Sequence, residues 1–366
     1  MATKREAGTD GALSKIEAFE AALKTINNQF KTEQGDKLVT LFGDKSRRVE
    51  TISSGSLVLD SLAGGGLPVG RIIEIYGPEA SGKTSIALTA VGNVQKNGGN
   101  AVFIDLENAL DPAYATKLGV DMSRLGIAQP DYAEQALELV EQLAASGSVD
   151  IIVVDSVAAL VPKAEFEGTL EDQNMALLAR ILSRSLKKLA NTANKNKCTV
   201  IFINQLREKV GFVLGNPETT TGGKALKFFA SQRIDIRRKG QVKEGTKVIG
   251  TEVKIKIVKN KIAPPFQEAP TVLTFNQGIN KAAEMVEVGP NYGVITKPNA
   301  RSYIETETGE PIASSKADAI AKIEGDSELQ SRLSVALAKA IEASLLSPGG
   351  EGSEESDVEL DESSED

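Results

Sequence analysis

Gly77-Pro78-Glu79-Ala80-Ser81-Gly82-Lys83-Thr84 is the stretch on which the fold turns. It is a complete G-x-x-x-x-G-K-[ST] phosphate loop. Before it lies an apolar β-type run, Arg71–Tyr76, and after it a helix-type run, Ser85–Val91. Strand, glycine loop and helix in that order are the setting the motif requires. The glycines let backbone N–H groups wrap phosphates, and a helix N-terminus adds positive partial charge. Lys83 is placed to reach the β- and γ-phosphates of a nucleoside triphosphate, and Thr84 to hold Mg²⁺. Residues 77–85, ending at Ser85, form the expected nucleotide-binding segment.

Working outward, short β-rich runs alternate with helical stretches from about Thr51 to Asn280. The expected strands are Arg71–Tyr76, Ala101–Asp105, Ile151–Asp155, Thr199–Asn204, Gln232–Ile236, Glu252–Val258 and Thr271–Phe275. The early ones are largely apolar, as strands buried on both faces of a parallel sheet must be. Helical periodicity covers Ala133–Ser146 and Gln173–Ala193. This is an α/β nucleotide-binding core with a mostly parallel central sheet, its ligands at the carboxyl ends of the strands. Two stretches read as loops, Pro162–Asp172 and the glycine-rich Leu206–Lys224. The second is long for a compact domain, and such loops are usually functional. Ahead of the core, Leu13, Ile16, Phe19, Leu23, Ile26 and Phe30 recur at helical spacing. That apolar face needs cover, from its own domain or from a neighbouring subunit. After about Lys281 a small mixed α+β region ends in a helix, Ser327–Leu346. The expected divisions are 1–44, 45–280, 281–346 and a tail, 347–366.

Composition removes several classes of chemistry. The 366-residue chain has no histidine, no tryptophan and one cysteine, Cys198. Histidine metal sites, thiolate metal clusters and Ser-His-Asp catalysis are therefore excluded within the chain. No apolar run approaches the roughly eighteen residues of a membrane span. The polar N-terminus has no signal-peptide core, so a reducing cytoplasm is expected. The net charge of −8 comes from the tail: without the nine acidic side chains of 351–366 the chain stands at +1. That tail reads as a solvated acidic segment, serving either solubility or competition with nucleic acid for basic surface.

Ile151-Ile152-Val153-Val154-Asp155 is a buried strand ending in a carboxylate. Downstream of a phosphate loop, Asp155 is placed to orient Mg²⁺ through water. Hydrolysis also needs a group that positions the attacking water. Glu107 and Asp105 both end the strand run Phe103–Glu107, and strand alternation cannot separate residues two apart. Glu107 is preferred because it lies further past the strand end. Gln205 ends a further strand and begins the glycine-rich loop, so it can link a γ-phosphate to loop order. Arg180, Lys187, Lys188, Arg207, Lys209, Lys224 and Lys227 lie in or near the two loops and suit a phosphate backbone. Lys259 and Lys261 share one face of a strand end, where a cation can be lent to a neighbouring subunit's site.

Taken together, these residues resemble the RecA family of bacterial recombinases. The resemblance runs from about Phe30 to Asn280. It rests on the phosphate loop, Ala109–Pro112, Ile151–Leu160, the glycine–threonine segment Gly215–Gly223, and Val258–Ala263. It implies a DNA-dependent ATPase that forms ATP-bound filaments on single-stranded DNA. It also implies homologous pairing, strand exchange and stimulation of LexA-type repressor self-cleavage. By resemblance, Glu107 is the catalytic glutamate, and Asp111 and Tyr114 contact adenine. Gln205 couples ATP to DNA, Lys259 and Lys261 reach ATP across the filament interface, and Lys227 and Phe228 lie beside that interface. Met175, Arg180, Ser183, Arg207, Lys209, Val210, Thr221, Gly222 and Gly223 contact single-stranded DNA, Val210 as an apolar wedge. Lys187 and Lys224 belong to the same basic surface. The N-terminal helix docks on the adjacent subunit, the C-terminal domain gathers duplex DNA, and the acidic tail restrains access.

Some positions depart from the family pattern. Asn108 and Asn174 stand where histidines are common. Glu208 puts a negative charge in the DNA loop. Lys187 replaces a frequent arginine and loses its bidentate geometry, while Lys224 replaces a frequent asparagine. Altered DNA affinity with retained function is the expectation. The match weakens from Lys281. Two other classes share the phosphate loop: a ring-forming motor, disfavoured by Gly215–Gly223, and a non-hydrolysing scaffold, disfavoured by intact Lys83, Thr84, Glu107 and Asp155.

Overall fold

A computed structural model describes residues 10–30, 39, 49–168, 177–208 and 218–346. The chain divides into two compact units, 1–49 and 50–366. In the first, the amphipathic periodicity forms the helix Asp10–Gln29. Ile16, Phe19 and Ile26 on it and Phe30 just past its end are exposed, and the Asn27 side chain is bonded both ways to the Val39 backbone.

The second unit is organised by a ten-stranded sheet. Across it run Gly278–Ile279, Glu268–Thr274, Lys247–Asn260, Gln232–Glu244, Ile72–Gly77, Thr199–Glu208, Ile151–Asp155, Ala101–Asp105 and Leu125–Ala128. Along this order of nine, every pairing from Leu125–Ala128 through to Gln232–Glu244 is parallel and those beyond are antiparallel; the tenth strand, Glu218–Thr220, lies off it, antiparallel to Thr199–Glu208. Side chains alternate between two buried layers, as period two demands. Ile151, Val153, Ile201 and Ile203 pack on one face with Ile86 and Val91 of the helix Lys83–Lys96. Ile152, Val154, Val200 and Phe202 pack on the other with Val140, Leu182 and Leu186. The latter three come from the helices Ala133–Ala145 and Leu177–Lys195. Apolar residues at nearly every strand position therefore produce the parallel sheet expected of them.

Three elements differ from the sequence reading. The edge strand Leu125–Ala128 was not expected; it is short, and Gly126 interrupts its apolar signal. The strand after Cys198 runs on to Glu208, and Glu218–Thr220 pairs back on it antiparallel, Leu206 opposite Thr220. The stretch taken as one long loop thus has a two-stranded stem. The hairpin Gln232–Glu244 with Lys247–Asn260 is longer than expected because its outer part is polar and carries no apolar alternation. Residues 169–176, where the loop Pro162–Asp172 ends and the helix from Gln173 was expected to start, lie outside the described residues.

The region after Lys281 shares the first buried layer, through Met285, Val286, Leu333 and Leu337. It adds a three-stranded sheet and the helices Lys316–Gly325 and Ser327–Leu346. Its first helix, Lys281–Val288, is pinned by one fully buried carboxylate. Glu284 accepts from Ser56 Oγ at 2.5 Å, Leu57 N at 2.7 Å and Thr271 Oγ1 at 2.7 Å. Burial pushes its pKa up to about 7 against those three donors, with the charge of Asp60 adding to the rise. The folded state then binds more protons than the unfolded chain between pH 4.5 and about 7. Stability from this group is full below the lower value and is lost as pH rises through the upper one. Denaturant unfolding at pH 5 and pH 8 should show lower stability at pH 8, by on the order of 1–3 kcal/mol from this group. Glu284→Gln should flatten that part of the profile.

Candidate active site

The phosphate loop leaves the strand Ile72–Gly77 and enters the helix Lys83–Lys96 through backbone only this sequence allows. Gly82 stands at φ +92° as the residue before the helix, and it gives the helix no side-chain cap. A Cβ at Gly77 would sit 2.1 Å from the Ile236 carbonyl oxygen, and one at Gly82 would sit 2.1 Å from Leu273 Cδ1. Over the loop lies a cavity of about 630 Å³ lined by residues 80–85 and Tyr114. Its far wall is Thr251, Val253 and the segment Leu273–Asn276. Lys83 is buried, and its Nζ donates to the Pro78 carbonyl at 2.7 Å. Burial pulls the ammonium pKa down, while Asp155, Glu107 and Glu79 hold it up.

These residues fit a nucleoside triphosphate. Uncapped N–H groups at a helix start, a buried lysine whose ammonium bonds to a backbone carbonyl, and the Ser81 Oγ, buried and unpartnered among the described residues, are donors suited to an anion. The oxygens beside them fit Mg²⁺. Thr84 Oγ1 donates to Asp155 Oδ2 at 2.6 Å, and both are hard oxygen ligands of the kind that cation takes. Burial pushes the Asp155 carboxyl up to about 6; the Thr84 bond opposes this, and the Glu107 charge adds to it. Ser85 Oγ lies 2.8 Å from Tyr114 Oη, tying the helix start to the cavity wall. Asp111 spends one oxygen capping the helix Pro112–Lys117, accepting from Ala113 N and Tyr114 N.

The two carboxylates that sequence could not separate have different surroundings. Asp105 is buried and accepts from the backbone N–H groups of Ala109 and Leu110. Glu107 is exposed and accepts from Ser156 Oγ at 2.5 Å and Gln205 Nε2 at 3.0 Å. Sheet register explains the meeting: Asp105 lies opposite Asp155, and Gln205 opposite Gly77. Lys259 is elsewhere. Its Nζ donates to the carbonyls of Lys227 at 2.7 Å and Phe228 at 3.0 Å, and burial with Lys261 and Arg233 nearby pulls its pKa down. Phe228 is 69% exposed. Neither Lys259 nor Lys261 lines the cavity of its own chain.

A second surface gathers basic groups. Arg180, Ser183 and Lys187 lie exposed along one face of the helix Leu177–Lys195, and Arg207 is exposed on the stem strand. The return of that stem packs against the helix. Gly222 has φ +85° and Gly223 φ +74°. A Cβ on Gly222 would meet Leu182 Cδ1 at 2.4 Å, and one on Gly223 would meet Ala179 Cβ at 3.0 Å. Thr221, Gly222, Gly223 and Lys224 are thus brought beside Arg180 and Ser183. Met175, Lys209 and Val210 lie outside the described residues.

The family model of the RecA N-terminal domain matches residues 17–280. The chain belongs to the RecA family. It is 53% identical over 289 residues to the RecA protein of Acinetobacter baylyi, a match covering 78% of this chain and 82% of that one. With RecA of Acinetobacter baumannii it is 48% identical over 342 residues, 93% and 95% of the two chains. With RecA of Bacillus subtilis it is 51% identical over 296 residues, 80% and 84%. As a RecA-family member it is a DNA-dependent ATPase and recombinase of DNA repair. Among the described residues, no helix is long and apolar enough to cross a membrane.

Sequence reasoning missed the far wall of the cavity. Thr251, Val253 and Leu273–Asn276 come from two antiparallel strands and the turn after the second, far along the chain from the loop, and nothing in their local pattern marks a ligand. It also missed Ser156, which follows Asp155 and holds Glu107. Because Gly222 combines a left-handed backbone with close approach to Leu182, Gly222→Ala should displace the stem return. The local cost is of order 1–3 kcal/mol. Fluorescence anisotropy should show weakened binding of single-stranded oligonucleotide, with nucleotide affinity changed less than two-fold or so.

Proposed function

We propose that the cavity over the phosphate loop binds ATP with Mg²⁺ and that its hydrolysis governs the grip on DNA. The observation that carries this is the double hold on Glu107. Ser156 approaches from the Asp155 strand and Gln205 from the strand that becomes the DNA-loop stem.

The roles follow from chemistry. The loop N–H groups of Gly77 and residues 79–82, with the Lys83 ammonium, bind the β- and γ-phosphates, with Ser85 and Tyr114 beside the nucleoside and Asp111 near it. Thr84 and, through water, Asp155 hold Mg²⁺, which when bound neutralises charge on the transferring phosphoryl group. Glu107 orients the attacking water and accepts its proton. Lys259 and Lys261 of one subunit face the ATP of the next in a filament and stabilise transition-state charge, with Lys227 and Phe228 at that contact. Gln205 reports the γ-phosphate to the stem.

On the DNA side, Arg180, Ser183, Lys187, Arg207, Thr221, Gly222, Gly223 and Lys224 form the surface for single-stranded DNA. Met175, Lys209 and Val210 complete it. Lys and Arg there give sequence-independent, salt-sensitive binding. The filament then pairs its strand with a homologous duplex. The helix Asp10–Gln29 supplies its exposed apolar face to a neighbouring subunit. The region 281–346 acts as a small domain that receives double-stranded DNA, and the acidic tail restrains access. LexA-type repressor is a further partner, in the cytoplasm.

ATP turnover with and without single-stranded DNA tests the reading. Strong stimulation by DNA in the natural chain and none in Lys83→Ala is the expected result. Turnover indifferent to DNA contradicts it. Glu107→Gln should lower turnover by roughly 10²–10⁴-fold while ATP-dependent DNA binding persists; surviving turnover would remove Glu107 from its role.

A further inference from the structure

Beneath the site runs a buried polar chain that none of the roles above uses. Glu74 lies on the strand Ile72–Gly77, three residues before Gly77, and is fully buried. Its Oε2 accepts from Arg233 Nε at 2.6 Å, and Arg233 in turn stacks over the Tyr76 ring at 4.6 Å. Its Oε1 accepts from Asn204 Nδ2 at 3.0 Å. Asn204 is also fully buried. The same Nδ2 donates to the Thr221 carbonyl at 3.0 Å, and Oδ1 accepts from Gln205 N at 2.9 Å. Only this amide orientation lets donors face acceptors. Every polar position of the Asn204 side chain but one lone pair is therefore engaged.

We propose that Asn204, anchored on Glu74, is the positioning residue that couples the nucleotide loop to the return of the DNA-loop stem. The inference rests on the recombinase reading. Asn204 is bonded to three parts that must move together. Glu74 belongs to the strand that delivers the phosphate loop. Gln205 N–H belongs to the residue whose side chain touches Glu107. The Thr221 carbonyl begins the turn packed on Ala179 and Leu182. Arg233 gives the chain a fixed end, because breaking a buried, hydrogen-bonded ion pair is far costlier than forming it is favourable. A buried network whose carboxylate and amide are both bonded at each end is rigid and selects one arrangement. A shift of Gln205 on ATP binding therefore reaches Thr221 through a single side chain. Truncating that side chain leaves both sites built and disconnects them.

The test compares three full-length proteins: natural, Asn204→Ala and Asn204→Asp. The aspartate keeps the shape and the acceptor for Gln205 N–H but loses both donors. Both variants should hydrolyse ATP without DNA within about two-fold of the natural rate. The increment added by single-stranded DNA, and the tightening of DNA binding by a non-hydrolysable ATP analogue, should each fall about ten-fold, within the usual range of coupling energies. Val200→Ala, a core truncation on the same strand away from the network, should lower Tm but leave both ratios intact. Retained DNA stimulation in Asn204→Ala and Asn204→Asp overturns the proposal alone. Loss of stimulation in Val200→Ala as well would show that the ratios follow stability, and also overturns it. A natural chain indifferent to DNA overturns the recombinase reading and the coupling together.

Discussion

The structure depends on the register of a parallel sheet buried on both faces. Strands such as Ile151–Asp155 and Thr199–Asn204 are apolar at nearly every position, so helices must cover both sides. Polar side chains can then leave the sheet only at its carboxyl end. Parallel pairing puts those ends in line: Gly77 beside Gln205, and Asp105 beside Asp155. The phosphate loop, the Thr84–Asp155 pair, Glu107 and the root of the stem that begins at Gln205 meet there. Strand alternation makes the register strict, since a one-residue slip would exchange the rows packed against the helices of the two buried layers.

Charge at this edge is balanced by burial. Lys83, Asp155 and Glu107 stand close enough to influence one another, and desolvation pushes Lys83 down and Asp155 up. Both shifts weaken the charged forms. A phosphate chain beside Lys83 and a divalent cation beside Asp155 would favour those charged forms, because each would supply the opposite charge at short range. Glu107 sits outside that buried pair, between Ser156 and Gln205, where its carboxylate can face water. The same low-dielectric logic runs deeper at Glu74, which is tolerated only because Arg233 and Asn204 occupy its oxygens.

The fold and the nucleotide half of the site were legible in the sequence because they rest on local patterns. The phosphate loop, the apolar strand ending in Asp155 and the helix repeats each state their geometry within a few residues. Leu125–Ala128 was lost because a four-residue edge strand with a glycine carries little alternation. The stem beyond Asn204 was lost because Gln205–Glu208 and Glu218–Thr220 are polar, and only pairing makes them strands. Sequence preferred Glu107 over Asp105 for its place past the strand end; the different hydrogen-bond partners of the two are not encoded by strand position. The far cavity wall, Ser156's bond to Glu107 and the Glu74–Asn204–Arg233 chain join residues distant in sequence. Such contacts follow from sheet order, which periodicity leaves undetermined.

The central claim is that nucleotide and DNA sites share one sheet edge and bias each other. Linkage makes this measurable in both directions. The affinity of a non-hydrolysable ATP analogue should be measured with and without saturating single-stranded DNA, and DNA affinity with and without the analogue, at one fixed salt concentration. If the sites are coupled, each ligand tightens the other by the same factor, more than about five-fold. Analogue binding that ignores DNA would contradict the account.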